Sequence, residues 1–267
     1  MNRIDKKFKA LKASGKKGFI AYITAGDPDI LTTKKIVFGL ENAGVDIIEI
    51  GIPFSDPVAD GPTIQAASER ALKGGINLKK IFAMTGIIRK TSSIPLVYMT
   101  YYNPVLKYGL KKFAGDCVKY GVDGVIVPDL PLEEAGEFLS VTKKSGIALI
   151  FLIAPTSTPE RVHDIAKASK GFVYYVSRTG VTGGSAALSN ELYSKVRSIK
   201  AVTKKPVAIG FGISSPSQAR EAAKAADAVI VGSAIVGIAG KYYKSTSGVV
   251  SRISHLAKKI ARAVHDE

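Results

Sequence analysis

Eight short runs rich in β-branched residues alternate with helix-like segments along the chain, and this alternation constrains the fold more than any other feature. The runs cover residues 19–24, 46–52, 96–101, 124–127, 148–153, 172–176, 207–210 and 228–231. Between them lie helical patterns at 30–42, 63–73, 78–90, 111–120, 132–144, 160–168, 191–203 and 216–225, preceded by an N-terminal helix at 3–13. Strands alternating with helices build βα units, and βα units build a parallel sheet. The joints from helix to strand resemble one another: Ala43-Gly44-Val45-Asp46, Tyr120-Gly121-Val122-Asp123 and Ser145-Gly146-Ile147. A glycine just past a helix, followed by a turn into an apolar strand, is the economical way to make that connection. Eight units in a chain of 267 residues match a (β/α)8 barrel, which typically takes about 250 residues. An open doubly wound sheet is the rival, but its G-x-G-x-x-G signature is missing after the first strand. The expectation is therefore an α/β chain, a single (β/α)8 TIM barrel over residues 1–267 with an extra N-terminal helix. No linker of Ser, Gly or Pro divides it.

In such a barrel the loops after the strands form the active face. The informative residues crowd there. The second run, Asp46 to Ile52, reads as a buried strand, yet Glu49 sits in its middle. An unpaired carboxylate away from water is costly. Alternation puts Ile48 and Ile50 on one face and Ile47, Glu49 and Gly51 on the other. The strand breaks into a loop stiffened by Pro53 and Pro57 and carrying Asp56 and Asp60, before Gly61-Pro62 opens a helix. A strand-end glutamate with an aspartate returned by a rigid loop is how an acid/base pair is built. A satisfied structural Glu beside a solvated Asp is the alternative.

The last strands lead into glycine loops: residues 177–185, then Gly210-Phe211-Gly212-Ile213-Ser214, then Gly232-Ser233-Ala234-Ile235 at the start of a short helix. Glycines let backbone N–H groups approach an anion, and a helix N-terminus adds its positive dipole end. This is a phosphate site, with simple tight turns as the alternative. Residues 180–189, long and poor in bulk, read as a candidate lid.

Other chemistries find little support. His163, His255 and His265 fall on helix-like segments, no Cys/His/carboxylate spacing fits zinc, and no lysine ends a strand. The single cysteine, Cys117, excludes an internal disulfide and fits a reducing cytoplasm, where the chain is expected. Residues 1–7 alternate charged and apolar positions without a secretory apolar core, and no apolar run approaches a membrane span. The net charge of +16 comes from 38 Lys and Arg against 22 Asp and Glu. The lysines are scattered as pairs, none interleaved with stacking aromatics, so they read as outer helix faces, not as a nucleic-acid surface. Another phosphosugar isomerase or epimerase barrel, or a non-catalytic basic binding protein, are the competing functional classes; the latter leaves Glu49 unexplained.

The segments Ala25-Gly26-Asp27-Pro28, Glu49-Ile50-Gly51-Ile52-Pro53-Phe54-Ser55-Asp56-Pro57, Ala59-Asp60-Gly61-Pro62, Tyr102-Asn103-Pro104, Ser177-Arg178-Thr179-Gly180-Val181-Thr182-Gly183 and Gly210-Phe211-Gly212-Ile213 occur in this order. Together they resemble the tryptophan synthase alpha subunit family. The resemblance implies a (β/α)8 barrel that cleaves indole-3-glycerol phosphate to indole and glyceraldehyde 3-phosphate. It implies Glu49 as principal acid/base, Asp60 as partner near the indole nitrogen, and Tyr174 as site tyrosine, with Tyr175 beside it as the other choice. Thr182, Gly183, Gly212, Gly232 and Ser233 align with the phosphate-binding segment, and Tyr22, Tyr101 and Ile126 would wall the indole ring. Tyr22 stands where the family often has phenylalanine. The resemblance also implies a beta-subunit partner in an alpha2beta2 heterotetramer, with pyridoxal phosphate in that partner and no cofactor or metal in this chain. Pro53, Asp56, Pro57, Asn103 and Pro104 are the candidate interface.

Overall fold

The structure, a computed structural model, describes residues 1–177, 186–210 and 212–266, without the side chains of 186–191. The chain runs α1 (Arg3–Ala13), β1 (Gly18–Thr24), α2 (Ile30–Asn42), β2 (Ile47–Gly51), α3 (Pro62–Lys73), α4 (Leu78–Arg89), β3 (Leu96–Met99), α5 (Tyr102–Tyr108), α6 (Leu110–Tyr120) and β4 (Gly124–Ile126). It continues with α7 (Gly136–Ser145), β5 (Ala148–Ile150), β6 (Leu152–Ile153), α8 (Pro159–Ala168), β7 (Val173–Val176), α9 (Ala186–Val202), β8 (Val207–Gly210), α10 (Pro216–Ala225), β9 (Ala228–Val231), α11 (Ser233–Tyr242) and α12 (Thr246–His265). All pairings are parallel, in the order β5-β4-β3-β2-β1-β9-β8-β7-β6. The two ends of that order, β5 and β6, are separated only by Phe151, so the chain itself closes the sheet into the expected barrel.

The strand expected over 148–153 is thus broken at Phe151. The Ser169 hydroxyl accepts the Phe151 N–H at 3.1 Å, while the Phe151 carbonyl accepts from Tyr174 at 3.2 Å. One residue therefore serves two neighbours, which bends the strand. The segment 132–144 is also divided: a 3-10 turn at Leu132–Glu134 precedes α7. Tyr102-Asn103-Pro104 forms the first turn of α5, where a proline lacks no needed donor. The 20-residue α12 buries Val249, Ile253, Ala257, Ile260 and Val264, an i, i+4, i+3 stripe that covers α2 and α10.

Side chains divide by strand alternation into two cores. Ile48, Ile50, Tyr98, Val125 and Tyr175 face the helices, whereas Ile20, Ile47, Val97, Ile126, Tyr174 and Ile230 fill the barrel. The extra helix α1 plugs the lower end. Ile4, Phe8 and Leu11 join the inner core, and Phe8 meets Phe172 with centroids 5.8 Å apart. Cys117 is buried against the outer core, where burial and then Asp116 push its thiol up, which suits a packed and unreactive side chain.

Three aspartates at helix-to-strand joints set the register of this lower rim. The Phe19 N–H donates to Asp46, the Leu96 N–H to Asp123 and the Val207 N–H to Asp227, each at 2.9 Å. Each carboxylate thus holds the preceding strand of its neighbour. Cations neutralise them: Lys7 on Asp46, Arg3 and Arg89 on Asp123, and Lys200 on Asp227; a His265 ring nitrogen also lies 2.8 Å from Asp46. These acids pin strands. With the lower rim committed to that purpose, the upper rim carries the acids of interest.

Candidate active site

Glu49 is fully buried, at 0% exposure, on the inward face of β2. Neither of its carboxyl oxygens has a hydrogen-bond partner. Burial alone pushes its pKa from 4.5 to about 8, because nothing nearby compensates the charged form. At neutral pH the group is therefore largely protonated and can donate. A carboxylic acid held neutral at pH 7 in this way is poised for acid–base work.

Its register partner on β1 is Tyr22, and Tyr22 is buried. The Tyr22 ring lies across Gly51: a Cβ there would fall 2.5 Å from the tyrosine Cζ. Tyr174 uses the same device on the other side of the barrel, lying across Gly210 of β8, where a Cβ would fall 2.6 Å from Cε1. Glycine at these strand ends is what lets both aromatic side chains lie over the neighbouring strand. Burial raises the Tyr174 hydroxyl well above its ordinary value, and the charges of Glu49, Tyr22 and Asp60 add to it. Tyr174 therefore shares one electrostatic environment with both acids. Tyr175 belongs to the outer core. The alternative left open by the sequence resolves to Tyr174 as the inward side chain.

Asp60 comes back over the barrel on the 53–60 loop and is half-buried. Burial raises its pKa, opposed by the Tyr101 hydroxyl. Tyr101 also accepts the Ala59 N–H at 3.0 Å, and its ring meets Phe54 with centroids 5.4 Å apart. One side chain just past β3 thus braces the loop at both Phe54 and Ala59, immediately before Asp60. Below, the Asp27 carboxylate receives Arg70 Nε at 2.9 Å and Nη2 at 2.8 Å, tying the β1 loop to α3, the helix that Asp60 precedes.

Ile126 lies in the inner core, on the wall assigned to it. Two wall residues were not identified from the sequence. Met99, the inward neighbour of Val97 at the end of β3, packs with Tyr22, Ile64, Ala67 and Val236. Thr24 ends β1, is 3% exposed and has a hydroxyl without a partner. Alternation would have marked both, since each stands two residues beyond an inward side chain.

At the end of β9, the stretch expected to hold a phosphate, Gly232 caps α11 and Ser233 begins it. The Ile235 and Val236 N–H groups bond the Gly232 carbonyl, at 2.9 and 3.0 Å. The earlier N–H groups of the turn are those a helix leaves for an external acceptor. Gly232 backs directly onto Tyr22, its Cβ position 3.4 Å from the Tyr22 Cβ. Gly212 has φ of +73°, a left-handed conformation that a side chain would strain. Thr182, Gly183 and the rest of residues 180–185 of the lid candidate lie outside the described residues, whereas its last part, 186–189, is the start of α9.

Of the candidate interface, Asp56 and Asn103 are exposed, Pro57 and Pro104 are half-buried, and Pro53 is buried. The outer surface of the loop is therefore Ser55 to Val58, with Val58 84% exposed. Among the described residues no group of three or more His, Cys, Asp or Glu side chains could hold a metal ion, and no helix is long and apolar enough to cross a membrane.

A family model described as "Tryptophan synthase alpha chain" matches residues 8–265. The chain is 54% identical over 243 residues to the tryptophan synthase alpha chain of Caldanaerobacter subterraneus subsp. tengcongensis, covering 91% of this chain and 92% of that one. It is 50% identical over 236 residues to that of Geotalea daltonii, covering 88% and 89%. The crystal structure of tryptophan synthase subunit alpha from Legionella pneumophila str. Paris superimposes with a TM-score of 0.91 at 39% identity, covering 99% and 98%. A barrel with this buried acid and a match of this extent have one reading: the chain belongs to the tryptophan synthase alpha chain family.

Proposed function

We propose that the chain is the alpha subunit of a tryptophan synthase and cleaves indole-3-glycerol phosphate to indole and glyceraldehyde 3-phosphate, with Glu49 as both acid and base. The observation that carries this role is the unpartnered, fully buried carboxyl of Glu49, raised to about 8. Cleavage of the bond between indole C3 and the glycerol chain is a retro-aldol reaction. C3 first takes a proton, giving an indolenine that can accept the bonding electrons. The neutral Glu49 carboxyl supplies that proton. The adjacent side-chain hydroxyl then returns a proton to the Glu49 carboxylate as its carbon becomes the aldehyde and the carbon–carbon bond breaks. The acid is regenerated, and every atom of the substrate is accounted for in the two products.

Asp60 is the group that offsets the positive charge developing on the ring nitrogen. Tyr22, Tyr101, Met99 and Ile126 supply the apolar walls, and Tyr174 closes the side opposite Tyr22. Gly212, Gly232 and Ser233 hold the phosphate, together with Thr182 and Gly183. That anchor lets binding energy at one end position the reacting bond at the other.

The partner in this reading is a beta subunit in an alpha2beta2 assembly within the cytoplasm. The beta subunit holds the pyridoxal phosphate, and this chain holds no cofactor. Support for a partner comes from the exposed Ser55–Val58 surface on a loop stiffened by two prolines, which loses little entropy on docking.

The test is indole release from indole-3-glycerol phosphate. Glu49→Gln keeps the shape and removes the transferable proton, so turnover should fall at least ~10²-fold while binding of a phosphorylated analogue persists. Turnover near that of the wild type would sink the mechanism.

A further inference from the structure

Among the described residues, three buried side-chain oxygens lack any hydrogen-bond partner: both carboxyl oxygens of Glu49 and the hydroxyl of Thr24. The coincidence is informative, because native interiors pair nearly all such groups, and leaving one unpaired is unfavourable. All three stand on one wall. Tyr22 pairs with Glu49 across β1 and β2, and Thr24 pairs with Gly51, so Thr24 lies two residues further along the same inward face. The space over Gly51 is taken by the Tyr22 ring, which shares this wall with Glu49 and Thr24. The Tyr22 hydroxyl stands near the Thr24 hydroxyl without completing a hydrogen bond to it, and lies in the field of Asp60. Fold stability does not explain the threonine, since a valine would fill the same volume without burying an unpaired hydroxyl.

The donor and acceptor inventory says what completes the set. A neutral carboxyl offers one donor and remaining acceptor capacity, and a threonine hydroxyl offers one donor and two acceptor lone pairs. A single group that both donates and accepts satisfies both residues, and an alcohol does so. The phosphate reading puts the anion at Gly232 and Ser233, and Gly232 backs onto Tyr22. A chain running from that anchor toward Glu49 passes this wall. We infer that Thr24 is a substrate-binding residue that hydrogen-bonds the chain hydroxyl next to the breaking bond and turns its proton toward Glu49. The inference rests on the proposed cleavage of indole-3-glycerol phosphate. Thr24 transfers no proton. The hydroxyl proton goes to the Glu49 carboxylate, and the threonine holds the oxygen from which it leaves.

The experiment compares the wild type with Thr24→Val, Thr24→Ser and Thr24→Ala, using indole-3-glycerol phosphate and an indolylpropyl phosphate that lacks the chain hydroxyls. Thr24→Val is expected to lower kcat/KM for cleavage about 10- to 100-fold, while Thr24→Ser stays within about threefold of the wild type. Affinity for the hydroxyl-free analogue should stay within about twofold in every variant, because the contact in question does not exist there. Should Thr24→Val not fold, the same contrast is read between Thr24→Ala and Thr24→Ser. Cleavage by Thr24→Val within threefold of the wild type overturns the inference. Parallel loss of affinity for both ligands also overturns it, because the residue would then be packing the wall. A wild-type chain that binds the analogue but releases no indole removes the underlying cleavage reading, and Thr24 with it; active wild type with an indifferent Thr24→Val removes only this inference.

Discussion

Tyr22 lies flat against Gly51, so closely that a Cβ on the glycine would stand 2.5 Å from Cζ and 2.9 Å from Cε2 of the ring. Gly51 is strand backbone and cannot retreat, since it pairs with Thr24 on one side and Met99 on the other. An added methyl must therefore move the ring. Gly51→Ala should destabilise the fold by about 1–3 kcal/mol through overpacking. It should also lower kcat/KM for indole release at least ~10-fold, as the ring leaves the wall beside Glu49. Denaturant unfolding and steady-state assays of the purified variant check the two parts. A Gly51→Ala protein with unchanged kcat/KM would show that the position of Tyr22 does not matter to the site.

Glu49 makes stability depend on pH in a definite direction. Its folded pKa, about 8, stands above its ordinary 4.5. Below 4.5 the group is protonated in both folded and unfolded chains, and its neutral burial costs no ionisation. As pH rises from there the unfolded chain releases the proton first, so stability declines through about pH 8 and then levels off. Glu49→Gln has no such dependence. The stability of Glu49→Gln relative to the wild type should therefore increase between pH 5 and pH 9, by on the order of a few kcal/mol. Comparing the two proteins cancels every other titrating group. A difference that stays constant across this range would show that the carboxyl ionises freely in the folded state. In the same window, wild-type cleavage should fall above about pH 8, where the proton donor is lost.

Arg70 supports the site from below. It grips the buried Asp27 through two hydrogen bonds, and it passes under Gly240 of α11, whose Cβ position is 2.9 Å from Nη2. The pair thus joins the loop after β1, the helix following Asp60 and the helix that opens at Gly232. Arg70→Met leaves the Asp27 carboxylate buried without its cation. The loss should be about 3 kcal/mol, at the low end for a broken buried pair because the guanidinium is 31% exposed. Arg70→Lys should lose less, keeping charge but only one of the two contacts. Equal stability of Arg70→Met and the wild type in urea would show that Asp27 is satisfied without the arginine.

What the sequence made legible follows the range of each signal. The inward orientation of Glu49 was visible because strand alternation is strictly local, and a carboxylate among isoleucines is conspicuous. The same alternation left Tyr174 and Tyr175 unresolved: each is a plausible inward residue until the register of β7 against β8 is known. The break at Phe151 was not legible, because it arises from Ser169 and Tyr174, hydrogen-bond partners 18 and 23 positions away. The joint aspartates were visible as residues but not as strand pins, since the amides they accept lie 27, 27 and 20 positions away. Pro53, grouped with the candidate interface by resemblance, is buried, while the neighbouring Phe54 ring packs on Tyr101, a residue 47 positions further on that the local sequence does not reveal.

The same contact gives the partner reading its most specific consequence. Ser55 to Val58 form the outer surface of the 53–60 loop, and the Ser55 hydroxyl donates to Asp56 at 2.5 Å. Behind that surface, Phe54 packs on Tyr101, Tyr101 accepts the Ala59 amide, and Asp60 follows directly. A beta subunit that grips Asp56 and Val58 therefore acts on the segment that positions Asp60, and docking shifts the loop toward the arrangement it binds best. The isolated chain should be a weak catalyst, and an excess of beta subunit should raise its kcat. Asp56→Ala removes an exposed carboxylate that accepts from Ser55, so its basal indole release should stay within about twofold of the wild type. Its activation by the beta subunit should fall severalfold, because a charge pair across an interface is lost together with the order it imposes on the loop. The measurement is indole release with and without saturating beta subunit, alongside an independent titration of complex formation. Full activation of Asp56→Ala, or equal activity of the wild type with and without a beta subunit that demonstrably binds, would disconnect this loop from the control of Asp60.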